Sequence, residues 1–211
     1  MIAHATIRVF VADDHRLVRE GLRRILTESE DIEVVGEAAT VPELFDRLDD
    51  EHTDVVLLDI SMPGPGMVEA LRVLRQRGVR TLILSMYPET QFGPRAIKAG
   101  AAGYLTKEQT PNELIGALRK VHSGRTYMSS ALADELEGGL GEEAVPAHEQ
   151  LSEREFQILV RLGSGKTGSE ISRELSLSPK TVSTYRARVL QKLGLQTTAD
   201  LVRYVLENDL S

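Results

Sequence analysis

The chain has 211 residues, of which 41% are hydrophobic and 27% charged, a composition and length typical of a globular protein with two domains. The absence of cysteine excludes disulfides and thiol catalysis, and with no long apolar run and no secretory signal at the N-terminus we expect a cytoplasmic protein. The net charge of −7 is unevenly divided, with −9 on residues 1–150 and +2 on residues 151–211, so DNA contacts are expected only from the second part.

The first 124 residues alternate short β-branched apolar runs with amphipathic stretches, which is typical of βα units around a parallel sheet. Thr40 and Thr110, each followed closely by proline, predict helix starts, and Gly78 and Gly100 predict helix ends. The pattern therefore predicts an α/β domain, a five-stranded doubly wound parallel sheet. Its predicted strands are Ile7 to Ala12, Ile32 to Gly36, Val55 to Asp59, Thr81 to Met86 and Gly103 to Leu105.

The remaining residues have a different pattern. Residues 125–148 are predicted to be a linker that contains a possible short helix at Ala131 to Leu136. The linker is indicated by the glycine and acidic residues that follow this helix. Residues 149–211 have no strand signal and form the second predicted domain, which is all-α. Its four predicted helices are Glu153 to Leu162, Thr167 to Leu175, Pro179 to Leu193 and Thr198 to Glu207.

Acidic residues follow two of the predicted strands directly. Asp13 and Asp14 come after the first strand, and Asp59 closes the third. In an open parallel sheet, functional groups meet beyond the carboxyl ends of the strands, where Ser85 and Lys107 are also expected. Three neighbouring carboxylates repel one another unless a hard cation such as Mg²⁺ neutralises them.

This set of groups suits phosphoryl transfer to a carboxylate, with a lysine and a hydroxyl to hold the phosphoryl oxygens. Asp59 is the predicted nucleophile, because no helix start follows it directly. Asp13 and Asp14 immediately precede a helix, so capping of that helix is an alternative role for them, and it is compatible with metal binding.

The segments VADDH, DISMPG, LILSMY and KAGAAGYLTK resemble the receiver domain of two-component response regulators, over residues 6–123. The resemblance implies that a sensor histidine kinase or a small phosphodonor phosphorylates Asp59. It implies direct Mg²⁺ ligation by Asp14 and Asp59, with Asp13 assisting through water and the backbone carbonyl of Ser61 as a further ligand. Ser85 and Lys107 would contact the phosphoryl group, and the rotamer of Tyr104 would report phosphorylation, although Tyr104 is also explicable as a half-buried aromatic of an edge strand.

The sharpest feature of the second domain is EISRELSLSPKTVSTYRARVLQK, residues 170–192, which predicts two helices joined by a tight turn. The second helix is basic and has no acidic residue between Pro179 and Lys192. Small polar residues at its start and cations along it are typical of a recognition helix in the DNA major groove. A basic helix is often only a solvated face, but the turn between the helices favours DNA binding.

With its flanking segments this region resembles the LuxR-type DNA-binding domain, which makes the whole chain similar to the NarL/FixJ class of response regulators. That class binds DNA to regulate transcription, and we expect a homodimer when the chain is phosphorylated. In the family the last helix, here Thr198 to Glu207, commonly supplies a dimer surface, although its apolar residues in this chain are also explicable as core. The implied DNA contacts are Lys180, Thr181, Ser183, Thr184, Arg186 and Arg188, with Lys192 near the DNA backbone.

Departures from the family patterns affect the loops and the recognition helix. Met67 stands where glycine is common, Glu108 where proline is common, and Ser183 and Tyr185 where lysine and histidine are frequent. The first two changes concern loop shape rather than catalytic groups. The other two remove cations and could alter the DNA sequence that is recognised.

Parts of these patterns also occur in two classes of enzyme and in another kind of regulator. An Asp-nucleophile phosphohydrolase usually has a second aspartate two residues after the nucleophile, where this chain has Ser61, so we expect no enzyme beyond slow self-dephosphorylation. A P-loop nucleotide hydrolase is excluded because Val160 occupies the place of the required first glycine. An alternative is a DNA-binding regulator that works without phosphorylation, its first domain serving dimerisation or ligand binding, although the intact acidic cluster disfavours it. A protein-interaction regulator that has lost DNA binding is disfavoured by the unbroken basic recognition helix.

Overall fold

The structure is a computed structural model that describes residues 6–48, 52–138, 147–175, 177–208 and 210. Internal contacts divide the chain into two compact units, residues 1–141 and 142–211. No helix within the described residues is both long and apolar enough to cross a membrane.

The first unit is a five-stranded parallel sheet with strand order β2-β1-β3-β4-β5. The strands are β1 (Ile7–Ala12), β2 (Ile32–Ala38), β3 (Val55–Leu58), β4 (Arg80–Ser85) and β5 (Gly103–Thr106). The helices are α1 (Arg16–Thr27), α2 (Val41–Leu48), α3 (Met67–Gln76), α4 (Glu89–Ala99), α5 (Pro111–His122) and α6 (Ser130–Gly138). The predicted α/β fold class is confirmed.

The central strand β3 is fully buried, which explains why it is continuously apolar rather than alternating. Val9 and Val11 of β1 belong to a core cluster that includes side chains of α1 and α5. Phe10, between them, is also fully buried and lies against Gly36 of β2, where an added Cβ would come within 2.3 Å of its ring. Because the strands are parallel, their carboxyl ends lie at the same edge of the sheet.

The last part of the first unit lies within the predicted linker. After α5, Tyr127 forms an isolated parallel bridge with Gly103 of β5, and α6 then packs against α4. The predicted short helix is present and extends from Ser130 to Gly138. Residues 139–146, also in the predicted linker, lie outside the described residues.

The second unit is all-α, as predicted. A short 3-10 helix at Ala147–Gln150 precedes α7 (Glu153–Gly163), α8 (Gly168–Glu174), α9 (Pro179–Leu193) and α10 (Thr198–Glu207). Helices α7, α8 and α10 each begin with a capping box, in which an N-cap hydroxyl and an acidic side chain three residues later satisfy each other's backbone amides. Ser178 caps α9, and Pro179 is its first residue.

Candidate functional site

The predicted acidic cluster forms at the carboxyl edge of the sheet. The backbone amide of Asp59 donates to the carbonyl of Ala12 at 2.8 Å, so the residues that follow β1 and β3 lie side by side. The amide of Lys107 likewise donates to the carbonyl of Ser85 at 2.7 Å, which joins the ends of β4 and β5. Parallel pairing thus brings side chains from four strands to one edge.

Lys107 connects the two buried aspartates of the cluster. Its Nζ lies 2.5 Å from Oδ2 of Asp13 and 3.4 Å from Oδ2 of Asp59. Asp13 and Asp59 are only 1% and 4% exposed, so this ammonium is the charge that balances them in a poorly hydrated place. Lys107 is therefore at the predicted site but bound to Asp13, and it would have to exchange this partner to hold a phosphoryl oxygen.

Asp59 has an unusually weakly acidic carboxyl group. Burial is the main reason why its pKa is raised from 3.8 to about 6. The Lys107 ammonium opposes this rise and the carboxylates of Asp13 and Asp14 add to it, while a hydrogen bond from the backbone of Ser61 lowers the pKa. The predicted metal contact of the Ser61 carbonyl remains a prediction.

The acidic cluster fits a divalent cation. One oxygen or nitrogen each of Asp13, Asp14, His15 and Asp59 can be chosen so that all four lie within 4.8 Å of one another. Oδ1 of Asp14 is buried without a hydrogen-bond partner among the described residues, although Nδ1 of His15 lies 2.8 Å away. Such an oxygen is stabilised by a cation, and carboxylate oxygens are the ligands that Mg²⁺ prefers.

His15 was not predicted as a site residue, although it directly follows the two aspartates. It is the N-cap of α1, and its backbone amide donates to Oδ1 of Asp13 at 2.8 Å. The side chain of His15 makes no capping hydrogen bond to α1. The alternative role predicted for Asp13 was capping of α1. Its carboxylate instead accepts a hydrogen bond from the amide of His15, which lies just before the first residue of α1.

Two of the predicted switch residues, Ser85 and Tyr104, are buried. Ser85 is fully buried, and its hydroxyl oxygen accepts a hydrogen bond from the backbone amide of Tyr87 at 3.0 Å. Tyr104 is only 2% exposed rather than half-buried, and its hydroxyl donates to the carbonyl of Tyr87 at 3.0 Å. Both predicted switch residues therefore contact the same short segment between β4 and α4.

The second predicted site is the exposed side of α9. Most of the predicted DNA contacts are exposed there: Lys180, Ser183, Thr184, Arg186, Arg188 and Lys192. Thr181 is half-buried, and its hydroxyl lies 2.7 Å from that of the capping Ser178. The hydroxyl of Thr184 donates to the carbonyl of Lys180 at 3.0 Å, which leaves its oxygen able to accept from a base or a water.

The cations of α9 differ in their surroundings. Nη1 of Arg186 donates to the hydroxyl of Thr198 at 3.2 Å, and the guanidinium of Arg188 lies 5.8 Å from the ring centroid of Tyr185. Nζ of Lys192 lies 2.6 Å from Oε2 of Glu155, a residue that is only 3% exposed. Lys192 thus has a partner inside the domain, a contact that the sequence analysis did not predict.

Comparisons with known proteins agree with this geometry. Residues 9–119 match the family described as response regulator receiver domain, and residues 149–205 match bacterial regulatory proteins, luxR family. The chain is 38% identical to response regulator UvrY of Escherichia coli K12 over 97% of this chain and 95% of that protein. It is 37% identical to response regulator GacA of Pseudomonas aeruginosa over 92% and 93% of the two chains.

A solved structure of similar fold is RcsB of Salmonella enterica serovar Typhimurium, bound to the promoter rprA in the presence of the phosphomimetic BeF3−. The two chains are 25% identical with a TM-score of 0.58, over 94% of this chain and 98% of that one. The likeness extends across both units and supports the two-part organisation.

Proposed function

The chain belongs to the two-component response regulators that join a receiver domain to a LuxR-type DNA-binding domain, and on this basis we propose that Asp59 is its phosphoacceptor. One observation supports this most directly. Asp59 is a buried carboxylate at a strand end, 3.4 Å from Nζ of Lys107, and one oxygen or nitrogen each of Asp13, Asp14, His15 and Asp59 lie within 4.8 Å of one another. The proposed phosphodonor is a sensor histidine kinase.

In the proposed reaction, a carboxylate oxygen of Asp59 attacks the phosphorus atom of the donor. A bond forms between that oxygen and phosphorus, and the phosphorus–nitrogen bond of a phosphohistidine breaks, so that the leaving imidazole takes up a proton. With acetyl phosphate, a phosphorus–oxygen bond breaks instead and acetate leaves. Lys107 then exchanges Asp13 for a phosphoryl oxygen, and Ser85 donates its hydroxyl hydrogen to another.

Asp14 and Asp59 would hold Mg²⁺ directly, with Asp13 assisting through water. Bound there, Mg²⁺ would offset the negative charge of the phosphoryl oxygens as they approach three carboxylates. Apart from slow loss of its own phosphoryl group, we propose no enzymatic activity, since Ser61 stands where a phosphohydrolase usually has a second aspartate.

The output is proposed to be phosphorylation-dependent DNA binding through α9. RcsB, which has the same two-part fold, binds a promoter in the presence of a phosphomimetic. Two copies of this chain on a palindromic site would bind more tightly through their effective concentration, which supports a homodimer as the active form. DNA as the target also supports the expected cytoplasmic location, because bacterial chromosomal DNA lies there.

The phosphoacceptor proposal is tested by intact-protein mass after incubation with acetyl phosphate and Mg²⁺. We expect the wild type to gain one phosphoryl group, Asp59→Asn to gain none, and Asp46→Asn, which changes an exposed carboxyl on α2, to behave like the wild type. Chelating the metal should abolish the gain. An equal gain in wild type and Asp59→Asn would contradict the assignment of Asp59. No gain in any of the variants would favour a regulator that works without phosphorylation.

A further inference from the structure

The segment that follows α5 covers one edge of the first unit. β5 is an edge strand of the sheet, and Tyr127 lies along it. The amide of Tyr104 donates to the carbonyl of Tyr127 at 3.0 Å, and the amide of Tyr127 donates to the carbonyl of Ala102 at 2.9 Å. The edge of β5 is therefore paired with the protein's own chain rather than open.

From this edge the chain continues onto α4. The amide of Ser129 donates to Oε1 of Glu89, the first residue of α4, at 3.0 Å, and the hydroxyl of Ser129 accepts from the amide of Leu132 at 3.1 Å. Leu132 is only 3% exposed and packs on Gly93, where an added Cβ would lie 2.9 Å from its Cδ2 atom. We call residues 127–138 the linker arm.

The linker arm is anchored on the segment that both switch residues contact. Ser85, Tyr87 and Glu89 lie within five consecutive residues. The Ser85 hydroxyl accepts a hydrogen bond from the amide of Tyr87, and the Tyr104 hydroxyl donates one to the Tyr87 carbonyl. The Glu89 carboxylate accepts a hydrogen bond from the amide of Ser129 in the linker arm. A movement of the Ser85 side chain towards a phosphoryl group on Asp59 therefore disturbs the short backbone segment from Ser85 to Glu89, which carries the contact with Ser129.

Helix α4 contains two residues that weaken a helix. Pro94 lies inside it and removes one backbone hydrogen bond, and Gly93 directly before it is a weak helix former. The helix that carries the Glu89 and Gly93 contacts therefore has less backbone stabilisation of its own than an uninterrupted helix. This helix and its two contacts with the linker arm suit an element that has two arrangements.

We propose that the linker arm is a releasable tether, held on α4 by Glu89 and Gly93 when Asp59 is unphosphorylated and released when Asp59 is phosphorylated. This inference rests on the proposed phosphoacceptor role of Asp59. Release adds the residues of α6 to the stretch of chain between the two units. A longer tether changes the effective concentration with which two DNA-binding units reach one palindromic site.

The test is hydrogen–deuterium exchange of the full chain, with and without acetyl phosphate and Mg²⁺, with the phosphoryl content of each sample measured by intact mass. In the wild type, the amides of residues 131–136 should exchange at least about tenfold faster after phosphorylation. Gly93→Ala should show the same fast exchange without any phosphodonor, since its Cβ would lie 2.8 Å from Cγ of Glu89 and 2.9 Å from Cδ2 of Leu132.

Gly116→Ala is the matched control, because Gly116 also lies inside a helix, α5, and an added Cβ there meets no described atom within 4 Å. Gly93→Ala places its Cβ directly before Pro94, where a side chain disfavours the helical backbone, so circular dichroism must show that this variant keeps the helix content of the wild type before exchange is compared. Glu89→Ala should also speed exchange of the linker arm, whereas Thr90→Ala, one residue further along the same turn of α4, should not.

The two proposals fail in different ways. A wild type that carries a phosphoryl group but keeps α6 fully protected would contradict the release of the linker arm and leave the role of Asp59 intact. A wild type that takes up no phosphoryl group would contradict the proposed function. Unchanged exchange of residues 131–136 in both Gly93→Ala and Glu89→Ala would show that these contacts do not hold the arm.

Discussion

At the scale of single residues, burial governs the behaviour of Asp59. The carboxyl group binds a proton more tightly in the folded protein than in the unfolded chain, because burial and the neighbouring Asp13 carboxylate outweigh the Lys107 ammonium. Between pH 3.8 and about 6 the folded state therefore holds more protons, and its stability falls as the pH rises through this interval. Above about pH 6 the full cost of the buried charge is present.

Replacing this carboxylate should therefore stabilise the metal-free protein. We expect Asp59→Asn to raise the free energy of unfolding of the first unit by about 2–3 kcal/mol at pH 7–8, since one pKa unit corresponds to about 1.4 kcal/mol. The gain should disappear below about pH 4, where Asp59 is protonated in both states. Urea unfolding at several pH values, with Asp46→Asn as control, measures it, and a gain that is independent of pH would show that charge burial is not its cause.

The site could be predicted in part because its residues have fixed places in the chain. Asp13, Asp59, Ser85 and Lys107 stand at strand ends, and parallel strands bring such positions together whatever the loops do. The pairing of Lys107 with Asp13 joins residues 94 positions apart and depends on side-chain directions that no local pattern encodes. The same holds for Glu155 and Lys192, which are 37 positions apart.

At the scale of elements, helix starts were predicted best because capping is local. Thr110-Pro111 begins α5 with a capping box, and Ser178-Pro179 begins α9. Helix α6 was predicted at nearly its observed position, but its docking on α4 was not. That docking depends on Leu132 meeting Gly93, a contact between distant positions that neither helix pattern indicates.

The two ends of α9 should respond differently to loss of a lysine. Lys192→Ala leaves the buried Glu155 carboxylate without this partner, so we expect a loss of about 1–3 kcal/mol in stability of the second unit. Lys180→Ala removes an exposed cation near the start of the helix. It should leave stability nearly unchanged and lower the slope of log affinity for DNA against log salt by about one.

Acid provides a further check on the Lys192 pair. Burial raises the pKa of Glu155, but hydrogen bonds from Lys192 and Ser152 outweigh it and hold the pKa below its usual 4.5. The stabilisation from the pair is thus present above about pH 4.5 and is lost as the pH falls through the lower, folded value. Thermal unfolding of Lys180→Ala and Lys192→Ala across this pH range measures the loss.

If both variants lowered the slope of log affinity for DNA against log salt by the same amount, the proposed separation of roles between Lys180 and Lys192 would be contradicted.

At the scale of the whole molecule, the net charge is unevenly divided, with −9 on residues 1–150 and +2 on residues 151–211. The acidic first unit suits a site that gathers carboxylates around a cation, whereas the second unit carries its cations along α9. The division into two units fits a protein in which chemistry at one place alters DNA binding at another. Such coupling is a free-energy difference between phosphorylated and unphosphorylated forms, and it can be measured directly.

The most direct test is the affinity of the full chain for a DNA duplex selected from a random pool with the phosphorylated protein. Fluorescence anisotropy at one fixed salt concentration would compare wild type and Asp59→Asn, each with and without acetyl phosphate and Mg²⁺. We predict that the phosphodonor tightens binding of the wild type by at least about tenfold, or 1.4 kcal/mol, and leaves Asp59→Asn unchanged. Equal affinity in all four samples, with the wild type shown by mass to be phosphorylated, would contradict the proposed switch.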